Sequence, residues 1–234
     1  MPYSSTHDVC VASKKGEDAH AFITTTIGAE PILLALVADG HGGAKASLML
    51  ADQLLGRIVS EATGSSTTEL ERAMTVAFTS LHAEIRASSP THGSTATVVA
   101  VCLSAGTITC GNVGDSFAYG FSHGSSPADR HPLHLTTSHR LEECGVKTEE
   151  ARRIMRGGGK VARAARQGGQ PAGPLRAWPG GLAMGRAIGD GDCGDWLIPT
   201  PSTYRQPPEP LLALLHSQHP SPPFTARLSS RVAV

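Results

Sequence analysis

The apolar run Pro31–Ala38, which stops on Asp39-Gly40-His41-Gly42-Gly43, restricts most what this chain can fold into. Pro-Ile-Leu-Leu-Ala-Leu-Val-Ala is too short to cross a membrane and long enough for a strand buried on both faces. It breaks off on a carboxylate, a histidine and three glycines. A carboxylate held at a strand end can ligate a hard cation through oxygen. An imidazole two residues on can donate a proton. Glycines let the backbone come close to a metal, a water or a phosphate. A Gly-rich turn that merely contains a polar pair has the same composition, so the weight falls on what accompanies it.

Two further segments repeat the pattern. Gly93-Ser94-Thr95-Ala96 opens a β-branched run through Leu103, and Thr107-Ile108-Thr109-Cys110-Gly111-Asn112-Val113 ends on Gly114-Asp115-Ser116. The turn residues Ala105-Gly106 between them are a hairpin signal. Val9–Ala12 and Ala21–Ile27 read as strands flanking Lys14-Lys15-Gly16-Glu17-Asp18. Acidic residues thus recur at strand ends, at Glu17, Asp18, Asp39 and Asp115. One such residue is ordinary at a surface turn; the repetition points to a shared cation site. Ala44–Ala62 and Thr67–Ala87 read as helices. In the second, Leu70, Met74, Ala77, Leu81 and Ile85 form an apolar stripe, with Thr67 or Thr68 as the expected cap. Strands, a helix pair, then more strands predict an α+β layered domain.

These motifs, in this order, resemble the metal-dependent protein phosphatases of type 2C, the PPM family. The resemblance rests on Glu17-Asp18, Asp39–Gly43, Gly93–Ala96, Asn112–Ser116 and Leu182–Asp190, and runs from about Val9 to about Pro201. It implies a four-layer α-β-β-α sandwich that lacks the family's last strands and helix. Residues 1–201 would form an incomplete phosphatase domain, and 202–234 a Pro-, Ser- and His-rich irregular tail with one or two helical turns at Leu211–Leu215. A sheet edge would then lie open.

The resemblance also implies roles. Two Mn²⁺ or Mg²⁺ ions would share a bridging hydroxide that attacks phosphorus, with a third, weaker ion near Asp115. Asp39 would bridge the pair and the Gly40 carbonyl would bind one ion. Glu17 and Asp18 would hold metal-bound waters, and His41 would protonate the departing serine or threonine oxygen. The family often carries a phosphate-gripping arginine at the position of Ser13; Lys14 or Lys15 could substitute only as a point charge. Two metal-ligand aspartates of the family lie beyond Asp190, and this sequence has no Asp after Asp195. The Asp190, Asp192, Asp195 cluster could stand in for them but reads as a solvated loop. A non-catalytic phosphatase-like fragment that binds phosphoproteins is therefore the alternative to a serine/threonine phosphatase.

Composition narrows the partners. Lys plus Arg equals Asp plus Glu at 20 each, so no bulk field favours nucleic acid or an anionic membrane. The partner the resemblance implies is a phosphorylated protein, and the expected form is a monomer in the cytoplasm or nucleus. The five cysteines form no Cys-x-x-Cys pair and read as buried thiols in a reducing compartment. Gly157–Gly181, basic and rich in Gly and Pro, is expected to be a mobile loop whose charges either attract a phosphoprotein or are merely solvated.

Overall fold

The computed structural model describes residues 3–10, 15–122, 132–144, 148–165, 169–206, 211–216 and 225–232. Ser13 and Lys14 lie outside them. Along the chain run β1 (Tyr3–Cys10), β2 (Ala19–Ile27), β3 (Glu30–Ala38), β4 (Gly40–His41), α1 (Lys45–Glu61), α2 (Thr67–Ser88), β5 (Gly93–Ser94), β6 (Ala96–Cys102), β7 (Ile108–Val113) and β8 (Phe117–Ser122). Next come β9 (Pro132–His134), α3 (Leu141–Cys144), α4 (Glu149–Arg156), β10 (Lys160–Ala165), β11 (Pro171–Trp178), β12 (Ile188–Gly189), β13 (Ser202–Gln206), β14 (Leu211–His216) and β15 (Thr225–Val232).

One sheet has the strand order β13-β7-β6-β3-β2, and a second has the order β1-β15-β14-β8-β9. The apolar run of β3 explains their stacking. Alternate side chains of a strand point to opposite faces. Ile32, Leu34 and Leu36 join Val98 and Ala100 of β6 in one core with Leu50, Leu54, Phe78 and Leu81 from the helix pair. Leu33, Ala35 and Val37 join Val99, Val101 and Cys110 in a second core that includes Ala118 of β8. The continuous hydrophobicity of β3 is thus the mark of a strand covered on both sides. Phe78 is fully buried, a burial worth about 1.5–3 kcal/mol. No helix among the described residues is long and apolar enough to cross a membrane.

The cap of helix α2 lies one residue before the expected one. Ser66, in extended conformation, accepts the Glu69 N–H at 3.3 Å. The extended backbone belongs to Ser66, so Thr67 and Thr68 already lie in the first turn.

Two sequence expectations are overturned. Gly157–Gly181 contains the antiparallel hairpin β10–β11. Beneath it Leu141, Ile154, Ala177, Ala187 and Trp196 form a third core, which supplies the apolar support that its basic, glycine-rich sequence hides. Glu150 ties this unit to the stretch just before β12, bonded by Arg153 at 2.7 Å and by Arg186 at 3.1 Å. Burial would raise the Glu150 carboxyl, but the two guanidinium groups overcome it and hold the group at about 2.

Nor is the segment after Pro201 irregular throughout. Strand β13 pairs with β7, β14 with β8, and β15 with both β14 and β1. Leu211–Leu215, expected as helical turns, is strand because β8 offers an edge of unpaired backbone groups that a short apolar run can satisfy.

Candidate functional site

The site is built where β3 runs out. Asp39 follows β3 directly, and its N–H donates to Thr95 Oγ1 at 3.0 Å, while its carbonyl accepts the Thr95 N–H at 2.9 Å. Ser94 Oγ donates to the same carbonyl at 3.1 Å. Thr95 Oγ1 also shares a hydrogen bond with Ser116 Oγ at 2.7 Å. Gly-Ser-Thr-Ala is therefore the clamp that fixes the Asp39 backbone. Gly40 has no side chain because a Cβ there would strike the Glu17 carbonyl and the Ser47 hydroxyl. Ser47, at the start of α1, donates to that carbonyl, and Gly43 N–H donates to Glu17 Oε1 at 2.9 Å. The Glu17-Asp18 pair is thereby stitched to the turn after β3.

Carboxylates gather without enough counter-charge. Asp39 and Asp115 are buried at 7% and 2% exposure. Burial is the main force raising the Asp39 carboxyl, to about 8, and repulsion from Asp18 and Asp115 adds to it. Burial also raises Asp115, against the pull of Arg140, whose Nη1 lies 2.6 Å from the carboxylate. Asp18 Oδ1 is buried with no hydrogen-bond partner. An orphaned carboxylate oxygen beside a carboxyl forced up in this way is what a divalent cation would relieve. The residues present fit a hard, oxygen-liganded metal ion, with Asp39 and Asp18 as the carboxylate donors at hand.

The second arm of the site comes from far along the chain. Strands β4, β5 and β12 form a small sheet in which His41 pairs with Gly93 and Gly93 with Gly189. That register sets Asp190, just past β12, beside the His41 ring. Both Asp190 carboxylate oxygens lie 2.9 Å from His41 Nε2. Burial would lower the His41 imidazole, but the hydrogen bond and charge of Asp190, then Asp39 and Asp115, overcome it and raise the group.

The expectation that Asp190, Asp192 and Asp195 form one solvated loop is corrected at Asp190, which is 3% exposed. Asp192 is exposed beside it and Cys193 is buried. The available signal was the Gly189-Asp190 pair, which repeats the Gly114-Asp115 corner. Arg140 was also missed, and nothing in its sequence context marks it. Lys15 is exposed and sits 3.7 Å from Glu17; Lys14 lies outside the described residues.

The sequence model of Protein phosphatase 2C matches residues 4–210. The chain belongs to that family. It is 36% identical over 199 residues to the probable protein phosphatase 2C 15 of Arabidopsis thaliana, covering 81% of this chain and 43% of that protein. It is 37% identical over 170 residues to the probable protein phosphatase 2C 3 of Oryza sativa subsp. japonica, covering 70% and 33%. The chain thus spans well under half the length of these curated relatives. Among solved structures, a C. elegans sex-determining protein aligns with a TM-score of 0.74 at 19% identity, over 98% of this chain and 65% of that one. A phosphatase from Toxoplasma gondii aligns with a TM-score of 0.67 at 19% identity, over 92% and 75%. These two likenesses are of fold. Family membership carries dependence on divalent metal as a general property.

Proposed function

We propose that this chain is a metal-dependent serine/threonine protein phosphatase, acting on phosphoserine and phosphothreonine in protein substrates with Mn²⁺ or Mg²⁺ as the bound ions. The observation that supports it best is the convergence of Asp39, Asp18 and Asp115 with His41 in one partly buried cluster. By the family's pattern the site would hold two ions, with a third near Asp115. When bound, the metal would supply an activated water and offset charge on the phosphoryl oxygens. The protein's own residues do the rest. Asp39, fixed through Thr95 and Ser94, holds the metal position. Asp18 and Glu17 order its water shell. His41 gives a proton to the departing alkoxide, a role typically worth about 10²–10⁴-fold. Lys15, exposed and 3.7 Å from Glu17, would meet the substrate phosphate as a point charge only. Buried free thiols at Cys102, Cys110 and Cys193 favour a reducing compartment, cytoplasm or nucleus, and we take the working form to be a monomer.

Phosphate release from a phosphoserine peptide, with added Mn²⁺ or Mg²⁺ and again in excess chelator, tests the proposal. Turnover that requires the ion and vanishes in Asp39→Asn is the expected result. Tight peptide binding with no release under either condition would replace the enzyme with a binding module.

A further inference from the structure

We infer that Asp190 is the positioning residue for His41: it fixes which imidazole nitrogen carries the proton on the protein side and which is left to face substrate. The inference rests on the phosphatase reading for what His41 does, and on the structure for everything else.

The arrangement is built at some cost. Asp190 is the one described non-glycine residue with a positive φ, 52°. Asp tolerates this left-handed backbone better than most residues, but glycine is its natural occupant. The carboxylate is nearly sealed from solvent, at 3% exposure. A Cβ at Gly93 would overlap it, so the strand opposite His41 must be glycine for the carboxylate to fit. The backbone is tied on both sides of the turn. Asp190 N–H donates to the His92 carbonyl at 2.9 Å, and Gly189 N–H donates to His82 Nδ1 at 3.1 Å. Both carboxylate oxygens then converge on one atom, His41 Nε2. Among the described residues no other side chain bonds to that carboxylate.

An ionised carboxylate accepts hydrogen bonds and cannot donate them. The Nε2 it touches must therefore carry the hydrogen. In the neutral ring, Nδ1 is then the free lone pair, and in the charged ring Nδ1–H is the proton open to the site. Orientation follows from the same contact, because a ring pinned at Nε2 cannot flip. A histidine on a Gly-rich turn would otherwise sample several rotamers, and reaction geometry tolerates little misplacement. The site thereby holds two kinds of carboxylate. Asp39 and Asp18 would serve the cation, and Asp190 holds the imidazole.

Two variants keep the backbone feasible: one removes the charge but leaves an amide oxygen that can still accept, and the other removes the acceptor outright. Asp190→Asn retains a residue tolerant of left-handed backbone, and Asp190→Gly relieves that backbone altogether. The first readout needs neither metal nor turnover. Long-range ¹H–¹⁵N correlation spectra of the metal-free full chain, at a pH where the ring is neutral, report which nitrogen is protonated, with His41→Gln assigning the signal. The wild type should show a single Nε2–H tautomer and Asp190→Gly a mixture or the Nδ1–H form, while Asp190→Asn reports which face of the amide replaces the carboxylate. A wild-type Nδ1–H ring, or Asp190→Gly spectra unchanged from wild type, would overturn the inference.

The second readout is kinetic. Either variant should lower kcat on a phosphoserine peptide by about 10–100-fold, change the rate on an aryl phosphate by less than about threefold, and add nothing to His41→Ala. Equal losses on both substrates, or losses additive to His41→Ala, would make Asp190 a fold or metal-site residue and overturn the role. A wild-type chain that releases no phosphate would refute the activity proposed above, while the ring spectra would still decide Asp190.

Discussion

Asp39 is buried beside two other carboxylates, and this makes the metal-free protein sensitive to pH in an unusual direction. Its carboxyl titrates near 8 in the fold against a usual value of 3.8. Across that window the folded chain holds a proton that the unfolded chain has released, so stability falls as pH rises. Every pH unit by which the titration is displaced corresponds to about 1.4 kcal/mol. Asp115, also raised by burial, adds to the same slope. Denaturant melts of the chelator-treated chain between pH 4 and about 8 should show a loss of a few kcal/mol, and Asp39→Asn should flatten most of it. Divalent ion should act oppositely: at 100 times its dissociation constant it should add about 2.7 kcal/mol to the wild type at neutral pH and almost nothing to Asp39→Asn. Arg140 gives a related test. Arg140→Met leaves the buried Asp115 carboxylate without its 2.6 Å partner, a loss of about 3–5 kcal/mol if the charge stays unpaired and less if the group protonates. That loss should shrink in Mn²⁺; the same loss with and without metal would separate Asp115 from the metal centre. The sequence made the carboxylates of the first half legible, because Asp39 and Asp115 each close a strand-like run and Glu17-Asp18 lie between two. It hid Asp190, whose partner lies 149 residues away, and Arg140, whose role exists only through its contact with Asp115.

Elements were legible where local pattern and tertiary environment agree. The observed span of β3 is one residue longer than the apolar run, and α1 and α2 fall within about a residue of their expected ends, no more than the fraying ordinary at helix termini. The cap of α2 shows the limit. Ser66, Thr67 and Thr68 are all competent cap residues, and only backbone conformation selects among them. Ser66→Ala should cost about 1 kcal/mol by thermal or denaturant melting, and Thr67→Ala only a few tenths, because Thr67 lies inside the helix. Equal costs would return the cap to Thr67. The β10–β11 hairpin is hidden for another reason. Its sequence has little alternation, and its burial is intermediate or exposed at every position except Ala177. What fixes it is the Trp196-centred core and the Glu150 ion pairs, none of which lies in the hairpin's own sequence.

At the scale of the whole molecule, the second sheet depends on the segment whose composition argues most against order. Without β14, strand β8 would pair only with the three residues of β9, leaving an open edge able to template association. Strand β14 fills that edge along all six positions, Leu211 opposite Ser122 through His216 opposite Phe117, and β15 then joins β14 to β1. The first sheet takes only β13 from that segment, as an edge strand on β7; β3 and β6 are covered by the α1–α2 pair on one face and joined to β2 and β7 at their edges. The two sheets should therefore respond differently to damage in the tail. Ala213 stands between Gly120 of β8 and Leu228 of β15, and proline there removes a ladder donor from a strand paired on both sides. Hydrogen exchange of Ala213→Pro should show Phe117–Ser122 losing protection while Ile32–Ala38 and Val98–Cys102 keep theirs. Light scattering should show association appearing at concentrations where the unsubstituted chain stays monomeric. Unchanged protection in β8 would mean that the tail strands do not hold that edge in solution, and would restore the irregular tail that composition alone suggests.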